Sequence, residues 1–206
     1  MTYVLHGHPF SSYTQKVVIA FYETGTPFEW RVLGDPESFA ELKRLWSIGL
    51  MPVVVEGAET VIESSIIVER VAPKLVPSLE VRFLDRFFDN YVMTPMQRIV
   101  GDFIRPAAER DPRGVADAKA RLEVSYDWLN DRLTGKEWAT GGAFTLADCA
   151  AAPSLFYADW VHPIAERFAE TRAYRARLLK RPSMARCVEE ARPFRHFFPP
   201  GAPDRD

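Results

Sequence analysis

A chain of 206 residues has room for one large domain or two small ones. Its hydrophobic share of 47% and charged share of 26% are those of an ordinary globular protein. A net charge of −2 argues against a broad basic face for nucleic acid, and no apolar run reaches the length of a membrane span.

The first stretch organises the rest. Residues 3–5 read as a short strand, followed by a turn through Gly7 and Pro9 and then a helix. Ser11 or Ser12 is the natural cap of that helix, because a hydroxyl can take one of the unpaired N–H groups of a first turn. Val17, Val18, Ala20 and Phe21 are expected inside, with Gln15 and Lys16 facing out. A helix start at the end of a strand offers a positive end to an anion.

Residues 27–33 alternate apolar and charged side chains as a strand does, and Asp35, Pro36 and Glu37 open a second helix that runs to about Trp46. Gly49 breaks it. Residues 53–55 form an apolar strand, 56–59 a hairpin turn and 60–62 the returning strand. A helix capped by Ser64 is expected through Leu75, with Ile66, Ile67, Val71 and Leu75 on one face. The order is β-α-β-α-β-β-α.

Beyond residue 77 no strand pattern recurs, which places a boundary there: an α/β domain over 1–77 and an all-helical domain over 78–206. Residues 79–108 have helical spacing, with Pro95 expected to kink or split them. Asp111 to Gly114 read as a turn. Residues 115–133 form an amphipathic helix with Ala118, Leu122, Tyr126, Leu129 and Leu133 inward, and 145–158 an almost wholly apolar, central one. Helical patterns return at 164–180 and 183–191, and the proline-rich tail 193–206 is expected to be irregular and to fray. The two cysteines, Cys149 and Cys187, sit in helical patterns outside any C-x-x-C and read as reduced, buried thiols. With no segment resembling a signal peptide, a cytoplasmic protein is expected.

Three motifs bear on function. Pro52 follows a glycine-containing loop and opens an apolar strand in a thioredoxin-like order. A cis bond there would turn the Met51 backbone toward an extended peptide. Glu63 beside Ser64 is a helix start that can hold a carboxylate, while the acid accepts from a neighbouring ammonium; an α-amino acid group carries both charges. Thr145 and Asp148 form a capping-box variant that is structural. His6 and His8 form an H-x-H without a third ligand nearby, so no metal is expected.

In this arrangement the sequence resembles the glutathione transferase family over nearly its whole length. Ser11, Lys16 and Val17 fit the serine-type S-x-x-x-x-[KR]-V pattern. Gly49 to Pro52 resemble its G-x-V-P loop and Glu63 to Ile67 its E-S-x-A-I segment. Thr145 to Asp148 resemble its S-x-A-D box, and Arg181 and Pro182 its R-P turn. The resemblance implies a thioredoxin-like domain plus a helical domain, a homodimer, and glutathione in the cleft between the domains. It implies glutathione contacts from Phe10, Leu50, Met51, Pro52, Glu63 and Ser64. The pattern departs from the family at Leu50, where Lys or Gln often stands, at Trp46 and Ser47 in place of Asn-Pro, and at Arg70 in place of an aromatic. Lys43 or Arg44 are the nearest candidates to compensate.

The chemistry follows from the thiol. A free thiol titrates near about 8.5, and lowering that by roughly two units takes about 2.7 kcal/mol of thiolate stabilisation. Ser11, or Ser12 as its competitor, can donate its hydroxyl hydrogen to the sulfur at the helix start. Serine is then an anion stabiliser, and the nucleophile is the sulfur of glutathione. With Ser11 and Thr14 where a disulfide-exchanging relative has cysteine, redox activity through a protein thiol is not expected. Tyr91 and Phe103 are the candidates for a hydrophobic substrate pocket. The leading expectation is transfer of glutathione to a small hydrophobic electrophile. The alternatives are glutathione-dependent isomerisation or dehalogenation, and a non-catalytic ligand-binding or protein-interaction module.

Overall fold

The structure, a computed structural model, describes residues 2–204 and 206. Four strands, β1 (Tyr3–Gly7), β2 (Phe28–Val32), β3 (Val53–Glu56) and β4 (Glu59–Ile62), form one sheet in the order β2-β1-β3-β4. β1 and β2 are parallel, as they must be when a helix crosses between them, and the remaining pairs are antiparallel. The helices of this half are α1 (Ser12–Thr24), α2 (Pro36–Leu45) and α3 (Ser64–Val71). This is the thioredoxin-like arrangement. All the later regular elements are helical: α4 (Leu79–Phe87), α5 (Thr94–Ile104), α6 (Pro112–Leu133), α7 (Leu146–Val161), α8 (Ala169–Lys180) and α9 (Pro182–Ala191).

α1 joins the two halves. It packs on α3 within its own half and on α7 and α9 of the other, and Val17 through Phe21 are buried. Gln15 and Lys16 are buried too, at 1% exposure each, which overturns the expectation that they face solvent. The helical half covers that face and supplies partners. Lys16 Nζ lies 2.5 Å from Asp85 and 2.9 Å from Asp89, and donates to Ser65 Oγ at 2.9 Å. Gln15 Nε2 donates to the Pro9 carbonyl and to Tyr157 Oη. Gly7 ends β1 against α1 so closely that a Cβ there would fall 2.6 Å from the Thr14 methyl.

α7 is the central helix, and its start is the capping box read from the sequence. Asp148 is fully buried and accepts from the N–H groups of Ala139 and Thr145, from the Thr145 hydroxyl and from Tyr174 Oη. Burial pushes its carboxyl pKa up, against the pull of those donors. Removing the acceptor strands several buried donors at about 1–3 kcal/mol each. Asp148→Ala is therefore expected to lose about 3 kcal/mol of stability in denaturant unfolding; a loss under about 1 kcal/mol would contradict this account.

Several boundaries differ from the sequence reading. α3 stops at Val71 rather than Leu75, because Pro73 has no N–H to extend it and opens a separate 3-10 turn, Pro73–Leu75. Glu63, not Ser64, occupies the cap position of α3, and Ile66 is exposed. The long helix is interrupted before Pro95, by a π-helical turn over Phe88–Met93; Pro95 lies in the first turn of α5. Asp111 caps α6, accepting from Gly114 N–H at 2.7 Å, so the expected turn is the start of a helix. The helix expected from 164 begins at Ala169. The tail is not wholly irregular: Arg192–Phe197 form a 3-10 helix, and Phe198 is buried against Tyr157 and Trp160. Both cysteines are buried and unpaired.

Candidate active site

Two hollows meet at the start of α1. The first, about 370 Å³, is lined by Tyr13, Trp46, Leu50, Met51, Pro52, Glu63, Ser64, Arg86, Asp89, Asn90 and Gln97. The second, about 420 Å³, is largely apolar and is lined by Phe10, Ser12, Met96, Gln97, Val100, Gly101, Ile104, Tyr157, Phe197, Phe198 and Pro199. Gln97 belongs to both. Ser12 borders one and Tyr13 the other, so the mouth of α1 stands at their junction.

Ser11 caps α1, with its Oγ accepting from Thr14 N–H at a long 3.4 Å. The capping oxygen acts as acceptor, so its own hydrogen remains free for an anion. Ser12 is the first residue of α1 and sits on the apolar side. Tyr13 is a third hydroxyl at the same place. Burial and the nearby Asp89 carboxylate push its phenol up to about 12, so it stays a neutral donor at physiological pH.

Across the polar hollow the Met51–Pro52 peptide is cis. The ladder pairing Val53↔Ile62 brings that peptide beside Glu63 and Ser64. Glu63 has a left-handed backbone, φ 68°, unusual for a residue with a Cβ. Such strain, of order 1–3 kcal/mol, gathers at ligand sites.

The far wall comes from the helical half. Arg86 donates to Asp85 and Asp89 and to Ser65 Oγ; its contact with Asp89 is 2.6 Å. Burial raises the Asp89 pKa, while Lys16 and Arg86 pull it down. Arg86, Asp89, Asn90 and Gln97 escaped the sequence reading. The signal was present as polar residues recurring at helical spacing among the aromatics of this stretch, with Asn90 four residues after Arg86.

The structure therefore gathers Leu50, Met51, Pro52, Glu63 and Ser64 around one hollow. Phe10 and Ser12 line the other. It does not bring Ser11, Tyr91 or Phe103 into the lining of either. Tyr91 is 46% exposed and packs on Phe87, facing the groove between α5 and α6. Phe103 is 45% exposed under the Arg110 guanidinium. The apolar wall is built instead from Met96, Val100 and Ile104, together with Phe197 and Phe198 of the tail. His6 is buried, and His8 lies against Phe194 with its Nδ1 accepting from Phe10 N–H. Among the described residues no group of three His, Cys, Asp or Glu could hold a metal ion. A larger hollow, about 700 Å³, lies at the C-terminal end of α1, but there Arg181 and Ser183 both donate to Glu23.

Residues 5–74 match the family model described as "Glutathione S-transferase, N-terminal domain", and residues 107–177 the one described as "Glutathione S-transferase, C-terminal domain". The chain belongs to the glutathione transferase family. A curated relative, glutathione S-transferase F12 of Arabidopsis thaliana, is 26% identical over 178 residues, covering 76% of this chain and 82% of the relative. Among solved structures, a glutathione S-transferase from Methylobacterium radiotolerans, in complex with glutathione sulfonate, is 27% identical. It has a TM-score of 0.78 and covers 91% of this chain and 95% of its own. One from Methylobacillus flagellatus KT with glutathione bound shares the transferase fold at TM-score 0.80 and 21% identity. It covers 90% of this chain and 98% of its own.

Proposed function

We propose that this transferase joins the thiolate of glutathione to a small hydrophobic electrophile. The observation that carries the reading is the junction of a polar hollow and an apolar one at a helix start bearing hydroxyls. In this reading Glu63 and Ser64 hold the γ-glutamyl group, and the Met51 backbone pairs with the cysteinyl residue. Ser11 donates to the sulfur, and Met96, Val100, Ile104, Phe197 and Phe198 hold the electrophile. Positioning the two reactants together supplies the remainder of the rate. Glutathione carrying S-alkyl groups of increasing length tests the geometry, because each CH₂ that enters the apolar hollow is worth up to about 0.8 kcal/mol. Affinity by calorimetry is expected to rise at least about tenfold from S-methyl to S-hexyl; equal affinities would remove the apolar hollow from the site. Tight binding without turnover of any aryl or alkyl halide would favour the non-catalytic reading.

The partner that fits the outer face of the helical half is a second copy. Phe83, Phe87 and Tyr91 form a stripe at spacing of four along α4 and the π-helical turn. Trp128 of α6 packs on it, 4.4 Å from Phe87 and 5.9 Å from Phe83 between ring centroids. Phe83, Tyr91, Val124 and Trp128 all remain exposed, which is unusual for a monomer surface. Light scattering is expected to give twice the chain mass for the native protein and the single mass for Phe83→Glu; a monomeric native protein would overturn the dimer.

A further inference from the structure

Ser11 stands at the junction of the two hollows without lining either, whereas its neighbours Phe10 and Ser12 line the apolar one. Where its hydroxyl points is therefore set by the short turn that leads into it. Such placement matters, because a shift of about 1 Å near reacting groups can cost about a hundredfold in rate.

The main-chain polar groups of that turn, from the His8 carbonyl to the Ser11 N–H, are all engaged. Two of the bonds are made within the turn: the Ser11 N–H donates to the His8 carbonyl at 2.9 Å, and the Phe10 N–H to His8 Nδ1 at 3.1 Å. The remaining two carbonyls are held from outside it. Gln15 Nε2 of α1 donates to the Pro9 carbonyl at 2.9 Å, and Tyr157 Oη of α7 to the Phe10 carbonyl at 3.3 Å. Gln15 Nε2 also donates to Tyr157 Oη at 3.0 Å, which links the two holders. Both are buried, Gln15 at 1% exposure and Tyr157 at 3%. Burial pushes the Tyr157 phenol up, so it stays neutral and keeps its one hydrogen for Phe10. The Tyr157 ring packs edge-on to Phe10, with centroids 5.5 Å apart, and lines the apolar hollow. Ring and hydroxyl thus serve different ends: one forms a wall, the other fixes the turn.

We propose that Gln15 and Tyr157 are positioning residues for the transfer, holding the Pro9 and Phe10 carbonyls so that the Ser11 hydroxyl stays aimed at the sulfur. The helical half, through α7, then governs how well the other half keeps its thiolate. The inference rests on Ser11 as the donor to the glutathione sulfur.

The pH profile of kcat/KM for a generic aryl halide, measured on the full chain, tests this. Tyr157→Phe keeps the ring and removes the hydroxyl. Its profile is expected to move up by about one unit, with activity about tenfold lower at neutral pH and recovered in alkali. Affinity for S-hexylglutathione by calorimetry should stay within about twofold, because the wall is intact. Gln15→Met, which removes the other donor, is expected to move the profile the same way. In a Ser11→Ala background neither change should move it further. An unmoved profile in either variant, beside a shifted one in Ser11→Ala, would overturn this inference and leave the role of Ser11 standing. So would an equal shift with and without Ser11. An unmoved profile in Ser11→Ala itself would overturn both.

Discussion

Ser11→Ala is expected to lower kcat/KM for a generic aryl halide by about a hundredfold at neutral pH, with glutathione affinity nearly unchanged. The size follows from the thiol. Two units of pKa amount to about 2.7 kcal/mol, and a sulfur that loses its donor titrates again near about 8.5. The pH profile gives the sharper readout. Activity of the variant should rise with pH along the titration of a free thiol and approach the native rate in alkali, where the thiolate forms unaided. The cap contact is long, at 3.4 Å, so its loss is expected to cost under about 1 kcal/mol of stability. Ser12→Ala is the control: it lies on the apolar hollow and should alter substrate affinity more than the pH profile. A native profile in Ser11→Ala together with a shifted one in Ser12→Ala would exchange their roles.

Lys16→Met is expected to be the most damaging single change to stability. The ammonium is 1% exposed and lies against Asp85 and Asp89, both nearly buried, and removing one member of such a group leaves charge uncompensated at about 3–5 kcal/mol. At this chain length that lowers the melting temperature by roughly 10 °C. The deficit has a defined pH dependence. Burial already raises the Asp89 pKa, and Lys16 is foremost among the charges that oppose it. Without Lys16 the folded-state pKa climbs further above the unfolded value. A group shifted in that direction stabilises the fold below its unfolded pKa and loses that contribution as pH rises through the folded one. The gap between variant and native should therefore narrow in mild acid and be widest at neutral pH. A gap independent of pH would mean that lost packing, not charge, is the cause.

Lys16 also shows how far the sequence could be read. Its position among apolar neighbours was visible, but the carboxylates that keep it inside lie some seventy residues later, and no local periodicity joins them. Arg86 and Asp89 stood at readable helical spacing, but the hollow they face is set by the same long-range packing. Tyr91 and Phe103 were misplaced for another reason. A helix extrapolated at 3.6 residues per turn is rotated by an intervening π turn, and the Phe88–Met93 stretch falls between the aromatics of α4 and the lining residues of α5. By contrast, the chain order of strands and helices, the core face of α6 and the Asp148 cap depend on short-range pattern, whereas the grouping of Met51, Pro52, Glu63 and Ser64 was legible only through the family resemblance.

The buried ammonium has a kinetic corollary. α1 carries the hydroxyls at its tip, and the same helix is fastened by Lys16 to Ser65 behind it and to the carboxylates of the neighbouring lobe. Prising the lobes apart would wet an ion and its counter-ions at once, so a clamshell opening is an expensive way to admit reactants or shed product. Traffic should instead pass sideways, over the rim made by Phe197 and Pro199, and the pace of release should follow the rocking of that rim rather than any swing of one lobe about the other.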